Sequence, residues 1–307
     1  MTVAYIAKTG LLIAALGVVA PAARAADGAD TPLDASFVED TGAADRIEAA
    51  DRIRTLTQTL ASASCHAANG VDVEANVGVL KTGAQTFDDL LNALRHGDEQ
   101  FHIIGAEKRG STIRLLDKVD AEWAPVRDAL AALATDLTDA NALNAVYDAN
   151  DSLYELSKVL LSKLEGEYAN PVELLQSDVI LIDISGQQAT AAQRLAYEAC
   201  RVWSGVATQK DKDELLLLTQ QFAFAVNALH DGAAQFGIMP APTEEITLAL
   251  EEVVEDWDSI AWKLKNLAAS KTISPDEASL LCKVLFKKML AMEKVTHMYT
   301  EHSRRVY

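Results

Sequence analysis

Arg52 and Arg54 stand two residues apart, and a third arginine, Arg194, sits beside Gln187, Gln188 and Gln193. A guanidinium offers parallel N–H donors to a planar oxyanion, and glutamine amides add more. Arg52, Arg54, Arg194 and Gln193 are therefore candidates for holding a small oxyanion or another small ligand. A solvated helix face explains the same residues without a ligand, since Glu48 lies four residues before Arg52 and can pair with it. Metal chemistry has less support. None of His66, His96, His102, His230, His297 and His302 forms an i, i+4 pair, and His297 to His302 is a five-residue step that splits the helix faces. No glycine-rich phosphate loop, nucleophile elbow or HExxH helix occurs. The residues argue for a non-catalytic protein with no cofactor.

The elements that position these residues follow from a duplication. Sliding the chain against itself by 135 residues superposes Gln58 on Gln193, Cys65 on Cys200, Phe87 on Phe222 and Gly97 on Gly232. From Gln58 to Ile103 no gap is needed, and 16 of 46 positions are identical. At an offset of 134, Trp123 meets Trp257, both most simply core anchors. A period this long is a domain rather than a solenoid unit. Within each copy the apolar residues step by three and four, as in Leu80, Gly83, Phe87, Leu90, Leu94, Gly97 and Phe101. Such a stripe belongs to long helices packed at shallow angles. Punctuation divides copy 1 into helices near 43–69, 73–104, 111–135 and 139–167, and copy 2 near 173–206, 210–238, 243–269 and 275–303. Ser274-Pro275-Asp276-Glu277 reads as a capping box with proline at the first helical position. The expected fold is all-α: two tandem antiparallel four-helix bundles, at 43–169 and 172–303, divided at Asn170-Pro171.

The segment Ile182-Asp183-Ile184-Ser185-Gly186-Gln187-Gln188-Ala189-Thr190-Ala191-Ala192-Gln193-Arg194-Leu195-Ala196 resembles the first-helix signature of the type IV pili methyl-accepting chemotaxis transducer N-terminal domain, the PilJ-type domain. Cys200, Gly205 and Trp123-Ala124-Pro125-Val126 are similar to the family as well. The resemblance spans both copies and implies a sensory-type helical module. In nitrate-responsive relatives an arginine of this helix helps hold nitrate at a dimer axis, which adds homodimerisation and anion capture to the expectations. Copy 2 keeps Gly186, Gln188, Gln193 and Arg194 but has Ala189-Thr190 where the signature has Arg-Met. Copy 1 keeps Arg52 and Arg54 but has Asp51 in place of the glycine.

Lys8 followed by the apolar run Leu11 to Ala20, then Pro21 and Ala23-Arg24-Ala25, reads as a cleavable leader over 1–25, with a linker at 26–42. The expected location is periplasmic or secreted, with signal relay left to a membrane-bound transducer as partner. Lys plus Arg number 27 against 45 Asp plus Glu, a formal charge of −18 that repels phosphate backbones and excludes nucleic-acid binding. In an oxidising compartment three cysteines allow one bridge and one free thiol, or three small core residues. Cys200 ends the first helix of copy 2 and Cys282 begins the fourth, and these helices are antiparallel neighbours in an up-down bundle. That geometry predicts a Cys200–Cys282 disulfide and a free, buried Cys65. A Cys65–Cys200 link would require the two bundles to lie side by side. The functional expectation is an exported, non-catalytic sensory-type module binding a small ligand or a signalling partner. The alternative is a structural or protein-interaction component of the cell envelope.

Overall fold

A computed structural model of the chain describes residues 42–168, 175–269 and 273–305. The leader, the linker up to residue 41 and the Asn170-Pro171 boundary lie outside the described residues. Copy 1 contributes α1 (Ala43–Ala68), α2 (Val73–His96), α3 (Gly110–Leu133) and α4 (Ala140–Tyr168). Copy 2 contributes α5 (Gln176–Trp203), α6 (Gln209–Asp231), α7 (Glu244–Val254), α8 (Trp257–Ala268) and α9 (Pro275–Arg305). In copy 1, α1 packs on α2 and α4, while α3 closes the bundle against α4 and α2. In copy 2, α5 packs on α9 and α6, with α7 and α8 together filling the third-helix position. The two bundles lie side by side along an α1–α5 seam, and α9 also reaches α1. Among the described residues there is no strand, only the single bridges Asp98–Ile103 and Ala233–Ile238.

Local chemistry sets the helix ends. Both second helices stop earlier than the apolar stripe implies, because Gly97 (φ 80°) and Gly232 (φ 81°) adopt backbone that favours glycine. A Cβ at Gly97 would also come 2.9 Å from the Gly105 backbone. Each glycine leads into the same compact turn, a short 3₁₀ segment closed by the bridge between residues five apart. At the start of α9 the expected capping box is present: Glu277 N–H donates to Ser274 Oγ, and the Glu277 carboxylate accepts from Ser274 N–H. Thr208 and Asp211 form a second such box at α6.

The third helices differ. In copy 1 α3 runs unbroken through Pro125. In copy 2 the chain breaks at Glu255 and Asp256, the latter in the left-handed region at φ 60°. Buried Lys288 of α9 donates to the freed carbonyls of Glu252 (3.0 Å) and Glu255 (2.7 Å). Its counterpart in copy 1 is Leu153, which has no hydrogen to offer. The break and the lysine go together, because exposed helix-end carbonyls need a donor.

Each bundle is centred on a stacked aromatic pair. Phe87 and Trp123 have ring centroids 4.0 Å apart, and Phe222 and Trp257 have centroids 4.1 Å apart. Trp123 Nε1 also donates to Asp88 Oδ1 at 2.7 Å, whereas the matching position in copy 2 is Ala223. Trp123→Phe is therefore expected to cost about 2 kcal/mol, losing apolar area and a hydrogen bond, and Trp257→Phe about 1 kcal/mol. Urea titration of the two variants checks this; equal losses would contradict the role given to Asp88.

Candidate functional site

The α1–α5 seam brings residues onto their own repeat equivalents. Thr55 and Thr190, 135 residues apart, share a 2.9 Å hydroxyl hydrogen bond. Cys65 and Cys200, separated by the same 135, form a disulfide with a Cα–Cα distance of 6.2 Å. Asp51 lies against Gly186, again its equivalent, so closely that a Cβ at 186 would overlap the carboxylate. Three such pairs in one register require α1 and α5 to run parallel about a pseudo-twofold axis along the seam. The chain contains its own dimer.

This arrangement corrects the expected disulfide. Cys65 pairs with Cys200, and Cys282 is the free thiol. The Cys200–Cys282 expectation favoured neighbours within one bundle over a link that needs the bundles side by side, and that side-by-side packing is what places Cys65 against Cys200 across the seam. Cys282 lines the same small void as Cys200 and His66, about 10 Å³, and burial pushes its thiol up to about 12.

Arg54 lies beside the axis with its guanidinium already neutralised. It is 4% exposed and pairs with Asp51 and, at 3.3 Å, with Asp183 of α5. Glu165 of α4 faces the same group. The glycine of the signature survives in copy 2 as Gly186, and its missing side chain gives the Asp51 carboxylate its place. An internal carboxylate thus sits where Arg54 would meet an anion. Asp51 is pushed up to about 7 by burial, opposed by Arg54 and reinforced by Asp183 and Glu293. Glu165 is pushed up to about 7 by burial and by Asp183, as is Glu198 of α5 by burial, against the pull of Arg201.

These shifts fix a pH dependence. A carboxyl whose pKa is raised on folding contributes full stability below its unfolded value, near 4, and loses it as the pH climbs through about 7. The lowered carboxyls, Asp72, Glu107 and Asp211, act in the opposite sense but only below their unfolded values. Buried His66, lowered by burial, opposes the trend within the window, as one group against the three raised carboxyls. The melting temperature is therefore expected to peak near pH 5 and to fall toward pH 8. A scan of thermal unfolding against pH checks this, and a rise between pH 5 and pH 8 would contradict it.

The remaining sequence candidates separate. Arg194 pairs with Glu214 and stacks over the Tyr154 ring at 5.0 Å. Gln193 is buried, and among the described residues its Nε2 has no hydrogen-bond partner. Its repeat equivalent Gln58 donates to Asn150 Oδ1 at 3.2 Å, while the matching position in copy 2 is Leu285. Arg52, by contrast, is exposed and lines a cleft of about 500 Å³ between α1, the copy 1 turn and α9. Asp51, Glu48, Phe101, Glu293 and His297 line it too. Sequence reasoning missed Glu293 and Asp183 because nothing local marks them; only the packing of copy 2 helices against α1 brings them there. Arg46 was missed as well. It is buried, donates to the carbonyls of Leu94 and Ile104, and ties the start of α1 to the copy 1 turn beside the cleft.

The result is an all-helical pseudo-dimer with a charged axis and a cleft beside it. The family model of the type IV pili methyl-accepting chemotaxis transducer N-terminal domain matches the chain twice, over residues 38–149 and 175–280. The chain belongs to this family, as a sensor-type module with two copies of the domain. Among curated proteins none matches the chain. Among the described residues no helix is long and apolar enough to cross a membrane.

Proposed function

We propose that the protein is an exported, non-catalytic sensory module that binds a small ligand in the α1–α9 cleft and passes its occupancy to a membrane-bound signalling partner. The cleft itself is the observation that carries this reading. It is of ligand size, lined by both copies, and holds an exposed arginine with no ion pair among the described residues. Occupancy would bear directly on α1 and α9, the helices of the two copies that meet there. Arg52 remains the ligand-facing candidate, while Arg54 and Arg194 act through the ion pairs they already make. A thermal-shift screen against oxyanions, carboxylates, amines and amino acids tests the reading, because a ligand that binds only the folded chain raises its melting temperature with concentration. A screen with no saturable response would favour the interaction reading. That alternative has its own support in an apolar patch on copy 2, where exposed Phe224 and Phe236 meet edge to face at 6.0 Å near exposed Met239.

A further inference from the structure

The charges of the α1–α9 cleft are mostly committed to one another. Asp45 faces His102 at 3.8 Å, Glu48 faces His297 at 3.3 Å, and Asp51 at the floor is held by Arg54. Two groups on opposite walls are left over: Arg52 on α1 and Glu293 on α9, neither with an ion pair or hydrogen bond among the described residues. Lys294 adds a cation at the exposed rim. Glu293 is half-buried, and burial holds its carboxyl above the usual range although Arg52 pulls it down. A carboxylate in that position gains from an incoming ammonium. Between the two charges Leu90, Phe101 and Leu290 supply an apolar surface.

Building on the ligand-binding reading above, we propose that this cleft takes a zwitterionic amino acid. Its carboxylate pairs with Arg52, its ammonium with Glu293, and its side chain lies over Leu90, Phe101 and Leu290. A simple anion meets four lining carboxylates against two permanent cations, and a simple cation leaves Arg52 unused. A zwitterion matches both walls at no net charge. The repeat equivalents of Arg52 and Glu293 are Gln187 and Lys158, which cannot make this pair of contacts, so one site per chain is expected.

Isothermal titration of the full chain tests the proposal with each common L-amino acid, followed by the decarboxylated amine and the deaminated acid of the best binder, and by nitrate. The expected result is saturable binding of one molecule per chain, about tenfold or more weaker for the amine and for the acid, each of which lacks one charged contact. Arg52→Gln and Glu293→Gln should each weaken amino-acid binding by about the same factor. Circular dichroism melts of both variants should stay near that of the parent, which separates lost contacts from lost structure. An amine or acid binding as tightly as the amino acid would overturn the proposal, and so would undiminished binding to both variants. Binding of nitrate or another non-zwitterion with no amino-acid response would overturn it while leaving the ligand-binding reading intact. No response to any compound class would overturn both.

Discussion

Removing the Cys65–Cys200 bridge, by a Cys65→Ala/Cys200→Ala pair or by reduction, is expected to lower the unfolding free energy by up to about 5 kcal/mol. The bridge closes a loop of 135 residues, and in the chain-entropy model so long a constraint restricts the unfolded chain strongly. That is a large share of the roughly 5–15 kcal/mol that keeps a domain folded. The bridge also fixes the register of α1 on α5, so its loss should loosen the seam more than either bundle. Cys282→Ala should cost only about 1 kcal/mol, since the thiol is a small packed group without a partner. Denaturant titrations of the double variant, the Cys282 variant and the reduced parent make the comparison. Equal losses on all sides would contradict the assignment.

Arg54→Met is expected to be the other severe change, costing about 3–5 kcal/mol near pH 7.5, because it leaves buried carboxylates with no cation. Asp51, Asp183 and Glu165 would then face one another across the seam. The loss should be largely recovered at pH 5, where Asp51 and Glu165 take up protons and the repulsion lapses. Melts of the variant and the parent at both values provide the check. A loss independent of pH would mean that Arg54 matters for packing alone.

Much of this architecture is written in the apolar period. The long helices and the burial of Trp123 and Trp257 follow from side-chain spacing, because burial repeats with the helix turn. The offset of 135 follows from residue identities, and the stacking of those rings on Phe87 and Phe222 emerges only from the packing. Gly97 and Gly232 were harder to place: each lies on the apolar stripe, yet its φ ends the helix. The break at Asp256 has no local signal, since its partner is a lysine on another helix. The seam is the instructive case. Thr55, Thr57, Thr59, Ser62 and Ser64 make α1 look like a weakly amphipathic, half-solvated helix. They are buried nonetheless, because α1 is enclosed by α2, α4, α5 and α9 and small residues permit that close approach. Several of their hydroxyls donate to carbonyls of their own helix, so burial leaves them satisfied. The same enclosure settled which arginine faces solvent. Arg52 and Arg54 are indistinguishable by type and spacing, and only the position of α5 shows that Arg54 is neutralised internally while Arg52 opens into the cleft.

Two copies of one domain dock on each other in parallel register, forming a dimer within a single chain. Peptide mapping of the purified protein under non-reducing conditions tests this most directly, because that register brings Cys65 and Cys200 within bonding distance and leaves Cys282 apart. One cross-linked pair joining the Cys65 and Cys200 peptides is expected, with Cys282 alkylated in the unfolded, unreduced chain. A Cys200–Cys282 link, or three alkylated thiols, would contradict it.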